Sequence, residues 1–315
     1  MSTVTGFSDS TSAAATLSDA VPEGRPDAGR RHGLTGLLLR PRYEVLPLAG
    51  TLEQVQRHVP TALPVTVTAS PARGLEPTLR LTESLALEGF SAVPHLAARL
   101  VHDELHLAEI LGRLDAVGVR DVFVVAGDGT TPVGQFTDSL HLLTAMERQR
   151  RSASSQSLRS VGVAGYPEGN PLVSDAELDH ALLAKQPMSS YVVTQMCFDA
   201  GAIHRWIGHA RGLGIRLPVH VGVAGAVDRM RLLRIAGRIG VGTSLRFLNK
   251  QKEGRRLLRR GGYRPDDLLG GLTPHTACGD RRVAGLHVYT FNDLAATEHW
   301  RRELLDMLAD GSGHD

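Results

Sequence analysis

The amino-acid sequence predicts an α/β fold, a (β/α)₈ barrel, on three observations. Eight short apolar runs rich in Val, Ile and Thr are distributed along the chain. Longer segments with helical periodicity separate these runs, and alternation of strands with helices is typical of a parallel sheet. No G-x-G-x-x-G follows the first run, which disfavours a doubly wound open sheet, the main alternative.

The chain of 315 residues is predicted to contain a disordered tail followed by one barrel domain. Residues 1–35 are small, polar and without periodicity. Such a segment buries too little apolar surface to offset the entropy of ordering it, so we predict that this tail is disordered. Residues 36–315 are predicted to form the barrel, a fold whose usual size is about 250 residues.

The predicted strands are, in chain order, RYEVLPL, LPVTVTA, SAVPHL, DVFVVAGD, SVGVAGYP, SYVVTQM, LPVHVGVAG and AGLHVYTFN. A helix is predicted after the third strand, where one apolar face comprises Leu107, Ile110, Leu111 and Leu114. Asp103 precedes this helix and can cap its N-terminus. The closing helix shows the i, i+4 pattern in Trp300, Leu304 and Leu308.

The composition excludes several classes of function. The chain has 35 Lys and Arg against 33 Asp and Glu, a net charge of +2, so a strongly basic nucleic-acid-binding surface is not expected. No apolar run approaches the roughly 20 residues that span a bilayer. The two cysteines, Cys197 and Cys278, exclude a disulfide scaffold and favour a reducing compartment. We therefore predict a cytoplasmic protein with no nucleic-acid or membrane partner.

Polar residues follow nearly every predicted strand, at the barrel end where catalytic residues lie in this fold. They are Glu44, Thr68, Ser70, His95, Asp128, Tyr166, Glu168, Thr194, Gln195, Tyr289 and Asn292. Each has a structural explanation, such as a rim salt bridge for Glu44 or a turn for Asp128. Together, the carboxylates of Glu44 and Asp128 with amide, hydroxyl and imidazole groups suit a polar heterocyclic substrate and proton transfer. No His-x-His or paired His/Cys spacing occurs there, so no metal site is predicted.

Taken in order, these residues resemble those of the methylenetetrahydrofolate reductase family, from about Arg42 to Leu308. The landmarks are YEVLP, TVTAS, VPHL, VVAGD, YPEGNP, VTQMCFD and GLHVYTFN. The T-Q-x-x-F-D and H-x-Y-T-x-N pieces, occurring together and in this order, make the resemblance specific. It implies a (β/α)₈ barrel that reduces 5,10-methylenetetrahydrofolate to 5-methyltetrahydrofolate. In most members FAD relays the hydride from NAD(P)H.

The resemblance also implies catalytic and substrate-binding residues. Glu44 would be the general acid that opens the five-membered ring to an iminium cation. Asp128 would bind the pterin and stabilise the positive charge. Gln195 and Tyr289 would bind the substrate. Arg229 would stack on the pterin, because the aromatic residue expected after the seventh strand is not evident. To act near neutral pH, Glu44 needs a pKa raised by burial.

The cofactor site departs from the family pattern. The positions that match the flavin site are Thr68, His95, Gly127 and Tyr166. The family has Arg-Gly-Asp at the fourth strand, whereas this chain has Ala126 before the glycine. Lys185 is the only strong base in the helix that offers cations to the FAD phosphates, and phosphates need such partners. We therefore expect weak or no FAD use, with hydride passed directly from NADH or NADPH.

Two alternatives remain at the level of sequence. One is another one-carbon or flavin-barrel enzyme, either an oxidoreductase or a methyl-transfer enzyme. The other is a barrel that binds folate without catalysis. Both are open because barrels of this fold support many chemistries.

Overall fold

Eight parallel strands close into a barrel in the computed structural model, which describes residues 28–128, 131–152, 158–226, 264–272 and 283–310. The strands are β1 Arg42–Val45, β2 Val65–Val67, β3 Ala92–Ala97, β4 Asp121–Val125, β5 Ser160–Gly165, β6 Tyr191–Thr194, β7 Val219–Ala224 and β8 Val283–Tyr289. Each strand coincides with one of the eight predicted runs, to within three residues at its ends, so the predicted barrel is confirmed.

The helices of the described residues are α1 Ala28–Leu39, α2 Thr51–His58, α3 Glu76–Leu87, α4 Glu104–Ala116, α5 Ser139–Ser152, α6 Asp175–Lys185, α7 Ala200–Gly212, α8 Asp266–Leu272 and α9 Leu294–Asp310. Short 3₁₀ turns follow β3 and α6, at Ala98–Leu100 and Gln186–Met188. The predicted cap of α4 is confirmed: the Asp103 side chain accepts a hydrogen bond of 2.8 Å from the His106 backbone N–H. None of these helices is both long and apolar enough to cross a membrane.

The first helix begins within the segment that we predicted to be a tail. Residues 28–35 are helical in the structure, which differs from the disorder predicted for them. Leu37 and Leu38 are buried, and Arg301 of α9 donates a hydrogen bond of 3.0 Å to the Leu38 carbonyl. Packing against α9 and β8 therefore holds α1, and local composition does not reveal such a tertiary contact. The remainder of the predicted tail, residues 1–27, lies outside the described residues.

Alternation along β1 separates the two sides of the barrel wall. Tyr43 faces the helices, since its hydroxyl donates to Glu298 of α9 at 2.8 Å. Its neighbours in the strand, Arg42 and Glu44, therefore face the barrel interior. The register pairs Glu44 with Thr66 of β2 and with Tyr289 of β8. Glu44 thus lies inside the barrel, toward the C-terminal ends of the strands.

A polar layer fills the N-terminal end of the interior. The Arg42 guanidinium donates to Asp121 at 2.7 Å and to the Tyr191 hydroxyl at 3.0 Å, and lies 4.2 Å from the centroid of that ring. His220 of β7 packs edge-on against Tyr191, with centroids 5.3 Å apart. These residues begin β1, β4 and β6 or lie next to the start of β7, so the layer closes the bottom of the barrel below Glu44.

Candidate active site

Three buried side chains meet inside the barrel, above the polar layer. Oε2 of Glu44 lies 2.9 Å from Nε2 of His287 on β8 and 3.6 Å from Nε2 of His95 on β3. The ring of Phe123 on β4 packs beside both imidazoles, with centroids 4.8 Å from His95 and 6.3 Å from His287. We call Glu44, His95 and His287 the carboxyl–imidazole cluster. It is formed by three strands that are distant in sequence and brought together only in the closed barrel.

Burial sets the protonation states within the cluster. The Glu44 side chain is 14% exposed, and burial raises its pKa to about 7, against a smaller lowering by the neighbouring His95. Burial lowers the pKa of His95 to about 4 and that of His287 to about 3. Near neutral pH both imidazoles are therefore neutral, and a large fraction of Glu44 holds its proton. This is the raised pKa that a general acid at this position needs.

The cluster also has the donor atoms of a metal site. The three ligand atoms all lie within 4.8 Å of one another, although the sequence spacing predicted no metal set. A metal-bound imidazole ordinarily donates its other ring N–H to an outer partner that orients it. Nδ1 of His287 is buried and has no hydrogen-bond partner among the described residues. Within those residues His287 therefore lacks the outer support typical of a metal ligand.

Tyr289 and Gln195 lie beside the cluster at the C-terminal rim. The Tyr289 ring packs edge-on against His287, at 5.0 Å between centroids, and its hydroxyl donates to the Thr194 carbonyl at 3.2 Å. Burial raises the Tyr289 pKa well above its ordinary value, with the charges of Glu44 and Tyr166 adding to the effect. Gln195 follows Thr194, and its backbone N–H donates to the Gly165 carbonyl at 2.7 Å. This bond holds the backbone of Gln195 at the rim, and its side chain is partly buried there.

Asp128 lies exposed at the end of β4, across the rim from Glu44 in strand order. Burial raises the pKa of Tyr166, after β5, and the negative charge of Asp128 raises it further, which places the two side chains near each other. Gly127 has a φ of 91°, a conformation that other residues rarely adopt. The backbone therefore turns sharply at this glycine, immediately before Asp128.

The loops that follow β3 and β4 are joined, and this fixes the rim below Asp128. The Arg99 backbone N–H donates to the Ala126 carbonyl at 3.0 Å, and the Gln135 N–H donates to the His102 carbonyl at 2.8 Å. Arg99 also donates through its side chain to the carbonyls of Thr137 and Gly127, at 2.8 and 3.4 Å. These bonds hold the second loop over the first.

The other predicted site residues lie in different surroundings. Thr68 follows β2, and its carbonyl accepts a hydrogen bond of 2.7 Å from Thr78, while its own hydroxyl is buried without a partner among the described residues. His95 was predicted to bind the cofactor, and in the structure it contacts Glu44. Arg229 lies outside the described residues. The sequence argument missed His287, although this histidine begins the H-x-Y-T-x-N landmark.

A family match covers more than half of the chain. Residues 42–242 match the model of the family described as Methylenetetrahydrofolate reductase. A Caenorhabditis elegans protein described as "Probable methylenetetrahydrofolate reductase (NADPH)" is 26% identical over 129 residues, which are 40% of this chain and 19% of that protein. Methylenetetrahydrofolate reductase 1 of Schizosaccharomyces pombe is 34% identical over 65 residues, 20% of this chain and 11% of that protein. The matched segments thus cover about a fifth or less of these relatives.

Solved structures with related folds show much lower sequence identity. Oxaloacetate acetylhydrolase in complex with oxalate is 11% identical with a TM-score of 0.49, covering 89% of this chain and 85% of that chain. Dihydropteroate synthase from Thermus thermophilus is 15% identical with a TM-score of 0.42, covering 88% of this chain and 95% of that chain. Similarity at this level carries no information on activity.

Proposed function

The chain belongs to the methylenetetrahydrofolate reductase family, and from that premise we propose that it reduces 5,10-methylenetetrahydrofolate to 5-methyltetrahydrofolate with hydride from NAD(P)H. The observation that carries this proposal is Glu44, a carboxyl inside the barrel mouth whose pKa is raised to about 7 by burial. The reaction needs an acid of that strength, because the substrate ring opens only when its leaving nitrogen is protonated.

We propose the following roles for the site residues. Glu44 gives its proton to the ring nitrogen, the C–N bond breaks with its electron pair on that nitrogen, and the remaining nitrogen forms an iminium cation. The carboxylate of Asp128 binds the pterin and stabilises the cation, because an opposite charge held in place lowers the energy of the charged intermediate. Gln195 and Tyr289 bind the substrate, and Arg229 stacks on the pterin. Hydride then reduces the iminium carbon to a methyl group.

The described residues do not fit the pyrophosphate of FAD. Ala126 stands where the family has an arginine. Burial lowers the pKa of Lys185, which faces the carboxylate of Asp138 within the protein. A pyrophosphate needs several charge-assisted hydrogen bonds, each contributing about 1.5–3 kcal/mol. We therefore propose that hydride passes directly from the reduced nicotinamide to the folate, and that the nicotinamide binds near Thr68, His95, Gly127 and Tyr166.

Substitution of the general acid tests the proposed reaction. In E44Q, oxidation of NADH or NADPH that depends on methylenetetrahydrofolate is expected to fall by about 10²–10⁴-fold, because the amide cannot donate an acidic proton. Folate binding, measured by calorimetry, is expected to remain. The matched control is E53Q, at an exposed glutamate on α2. Normal turnover by E44Q would exclude Glu44 as the acid. If the wild-type chain bound folate but oxidised neither NADH nor NADPH, the non-catalytic alternative would be favoured.

The visible absorption spectrum tests the proposal on FAD. The purified, untagged protein is expected to be colourless and to acquire no bound-flavin spectrum after FAD is added and the excess removed. The same sample is expected to oxidise NAD(P)H when given methylenetetrahydrofolate. A bound-flavin spectrum would show instead that other residues bind the phosphates, and that FAD relays the hydride.

We also propose a cytoplasmic location, which suits the free thiol of Cys197.

A further inference from the structure

The two imidazoles of the carboxyl–imidazole cluster approach the same oxygen of Glu44. Nε2 of His287 lies 2.9 Å from Oε2, and Nε2 of His95 lies 3.6 Å from that same atom. Among the described residues, no hydrogen-bond donor or acceptor is paired with Oε1. The two carboxyl oxygens are therefore not equivalent: Oε2 is engaged with the protein, and Oε1 is left for another partner.

The tautomer of His287 follows from its surroundings. A neutral imidazole has one nitrogen that donates and one that accepts. Nδ1 of His287 is buried without a partner in the described part of the chain, and leaving a buried N–H unpaired is unfavourable. Unpaired buried donors are also rarer than unpaired acceptors. The hydrogen therefore belongs on Nε2, where it is used in the bond to Glu44.

This tautomer decides which oxygen of Glu44 holds the proton. Oε2 of Glu44 accepts a hydrogen bond of 2.9 Å from Nε2 of His287, so Oε2 cannot also point an acid hydrogen toward that nitrogen. We propose that His287 is a positioning residue that donates Nε2–H to Oε2 of Glu44 and thereby keeps the acid proton on Oε1, the oxygen left free for the substrate. The inference rests on the proposed function, since it describes how that general acid is held.

The arrangement also accounts for how the acid is used and restored. When Oε1 gives its proton to the ring nitrogen of the folate, the O–H electron pair stays on Glu44 and a carboxylate forms. The Nε2–H of His287 then bonds to a charged acceptor, which strengthens the bond. Both imidazoles are neutral, so neither holds the carboxylate ionised, and it can take up a proton from solvent for the next turnover. Among the described residues, the other ionisable groups coupled to the cluster are Tyr289, Arg42 and His220.

Two substitutions at one position separate positioning from packing. H287L removes the donor while keeping a side chain of similar volume, whereas the amide of H287Q can replace Nε2–H. In H287L we expect kcat to fall about tenfold with the KM values for folate and NAD(P)H nearly unchanged, because only proton delivery is affected. H287Q is expected to recover most of that loss. Equal losses in both variants, or a loss confined to KM, would contradict positioning. If H287L does not fold, H287N, whose shorter side chain does not reach Oε2, replaces it.

A titration that needs no turnover completes the test. Carboxyl ¹³C NMR of protein labelled at glutamate Cδ, with Glu44 assigned by its loss in E44Q, gives the Glu44 pKa directly. Loss of a donor to the carboxylate favours the neutral form, so the Glu44 pKa is expected to rise in H287L and to stay near the wild-type value in H287Q. An unchanged pKa in H287L overturns the inference. If the wild-type protein has no reductase activity, the proposed function fails while this titration still tests the role of His287.

Discussion

At the scale of single residues, the protonation of Glu44 predicts the pH dependence of the reaction. Its pKa is raised to about 7, and only the protonated form can act as the acid. The kcat/KM for the folate is therefore expected to be constant below about pH 6 and to fall about tenfold per pH unit above about pH 8. Steady-state rates with saturating NAD(P)H measure this profile, with E53Q as the control. A rate that stays level through the alkaline range would show that Glu44 is not the proton donor.

The sequence predicted Glu44 and His95 as site residues. It did not predict His287, the residue that contacts Glu44 most closely. Both predicted residues occur near the ends of recognisable strands, where position along the chain is informative. His287 lies two residues before the end of the last strand, as His95 does in β3, so strand position alone did not single it out. Its contact with Glu44 depends on closure of the barrel between β1 and β8, with Arg42 beside His287 in the register. That pairing joins residues more than 240 positions apart, and local periodicity contains no information about it.

At the scale of elements, a buried ion pair fixes α9 to the first strand. The Glu298 carboxylate accepts hydrogen bonds from Tyr43 at 2.8 Å and from two nitrogens of Arg301 at 2.7 and 2.8 Å. E298A leaves the Arg301 charge buried without its partner, so the free energy of unfolding is expected to fall by about 3–5 kcal/mol in urea titrations.

The same helix provides the control for this ion pair. Glu303 of α9 bonds to Arg264 at 3.1 Å, but its side chain is 42% exposed. E303A is therefore expected to cost less than about 1 kcal/mol, because solvent screens an exposed pair. Equal losses in the two variants would mean that the buried network does not stabilise α9 beyond an ordinary surface pair.

A second element-scale prediction concerns the joined loops after β3 and β4. A Cβ added at Gly134 would overlap the backbone carbonyl oxygen of His102, which cannot rotate away as a side chain would. G134A is therefore expected to separate the loops, to lower the unfolding free energy by about 1–3 kcal/mol, and to reduce activity by displacing Asp128. The control is G112A, since Gly112 lies on α4 with open space around it and alanine favours a helix. Wild-type activity and melting temperature in G134A would show that the rim tolerates loop separation.

The elements also show where sequence patterns stop being informative. The eight strands were predictable because runs of β-branched residues bounded by turns recur with helices between them. The start of α1 was not predictable, because residues 28–35 have no apolar periodicity and the helix is stabilised by its packing on α9. The joined loops were equally unpredictable, since most of their bonds run between backbone groups and depend on no particular side chain.

At the scale of the whole molecule, three histidines inside the barrel make stability depend on pH: His95 and His287 are buried, and His220 is half-buried. Burial lowers the pKa of His95 to about 4 and those of His220 and His287 to about 3. In the unfolded chain these histidines take up protons near their ordinary pKa of about 6.5. Between about pH 4.5 and 6.5 the unfolded state therefore binds more protons at these residues, and stability falls as the pH is lowered.

Glu44 acts in the opposite direction over the same range. Its folded-state pKa is raised, so the folded state binds its proton first, and this contribution to stability is lost as the pH rises toward about 7. The proton that Glu44 releases on unfolding offsets about one of the three protons that the histidines take up. The net uptake on unfolding is therefore about two protons. Each proton contributes about 1.4 kcal/mol per pH unit, so the free energy of unfolding is expected to fall by about 3 kcal/mol per pH unit between about pH 6 and 5.

Removing one histidine tests this balance, and His220 is the suitable choice because it lies in the polar layer below the carboxyl–imidazole cluster. H220N is expected to reduce the slope of unfolding free energy against pH by about 1.4 kcal/mol per pH unit, whatever its effect at neutral pH, since asparagine does not titrate. Urea titrations at several pH values between about 5 and 7 measure the slope. H299N, at an exposed histidine on α9, is the control and is expected to keep the wild-type slope. The same slope in H220N and the wild type would mean that His220 takes up no proton on unfolding, and that the acid sensitivity of the barrel arises elsewhere.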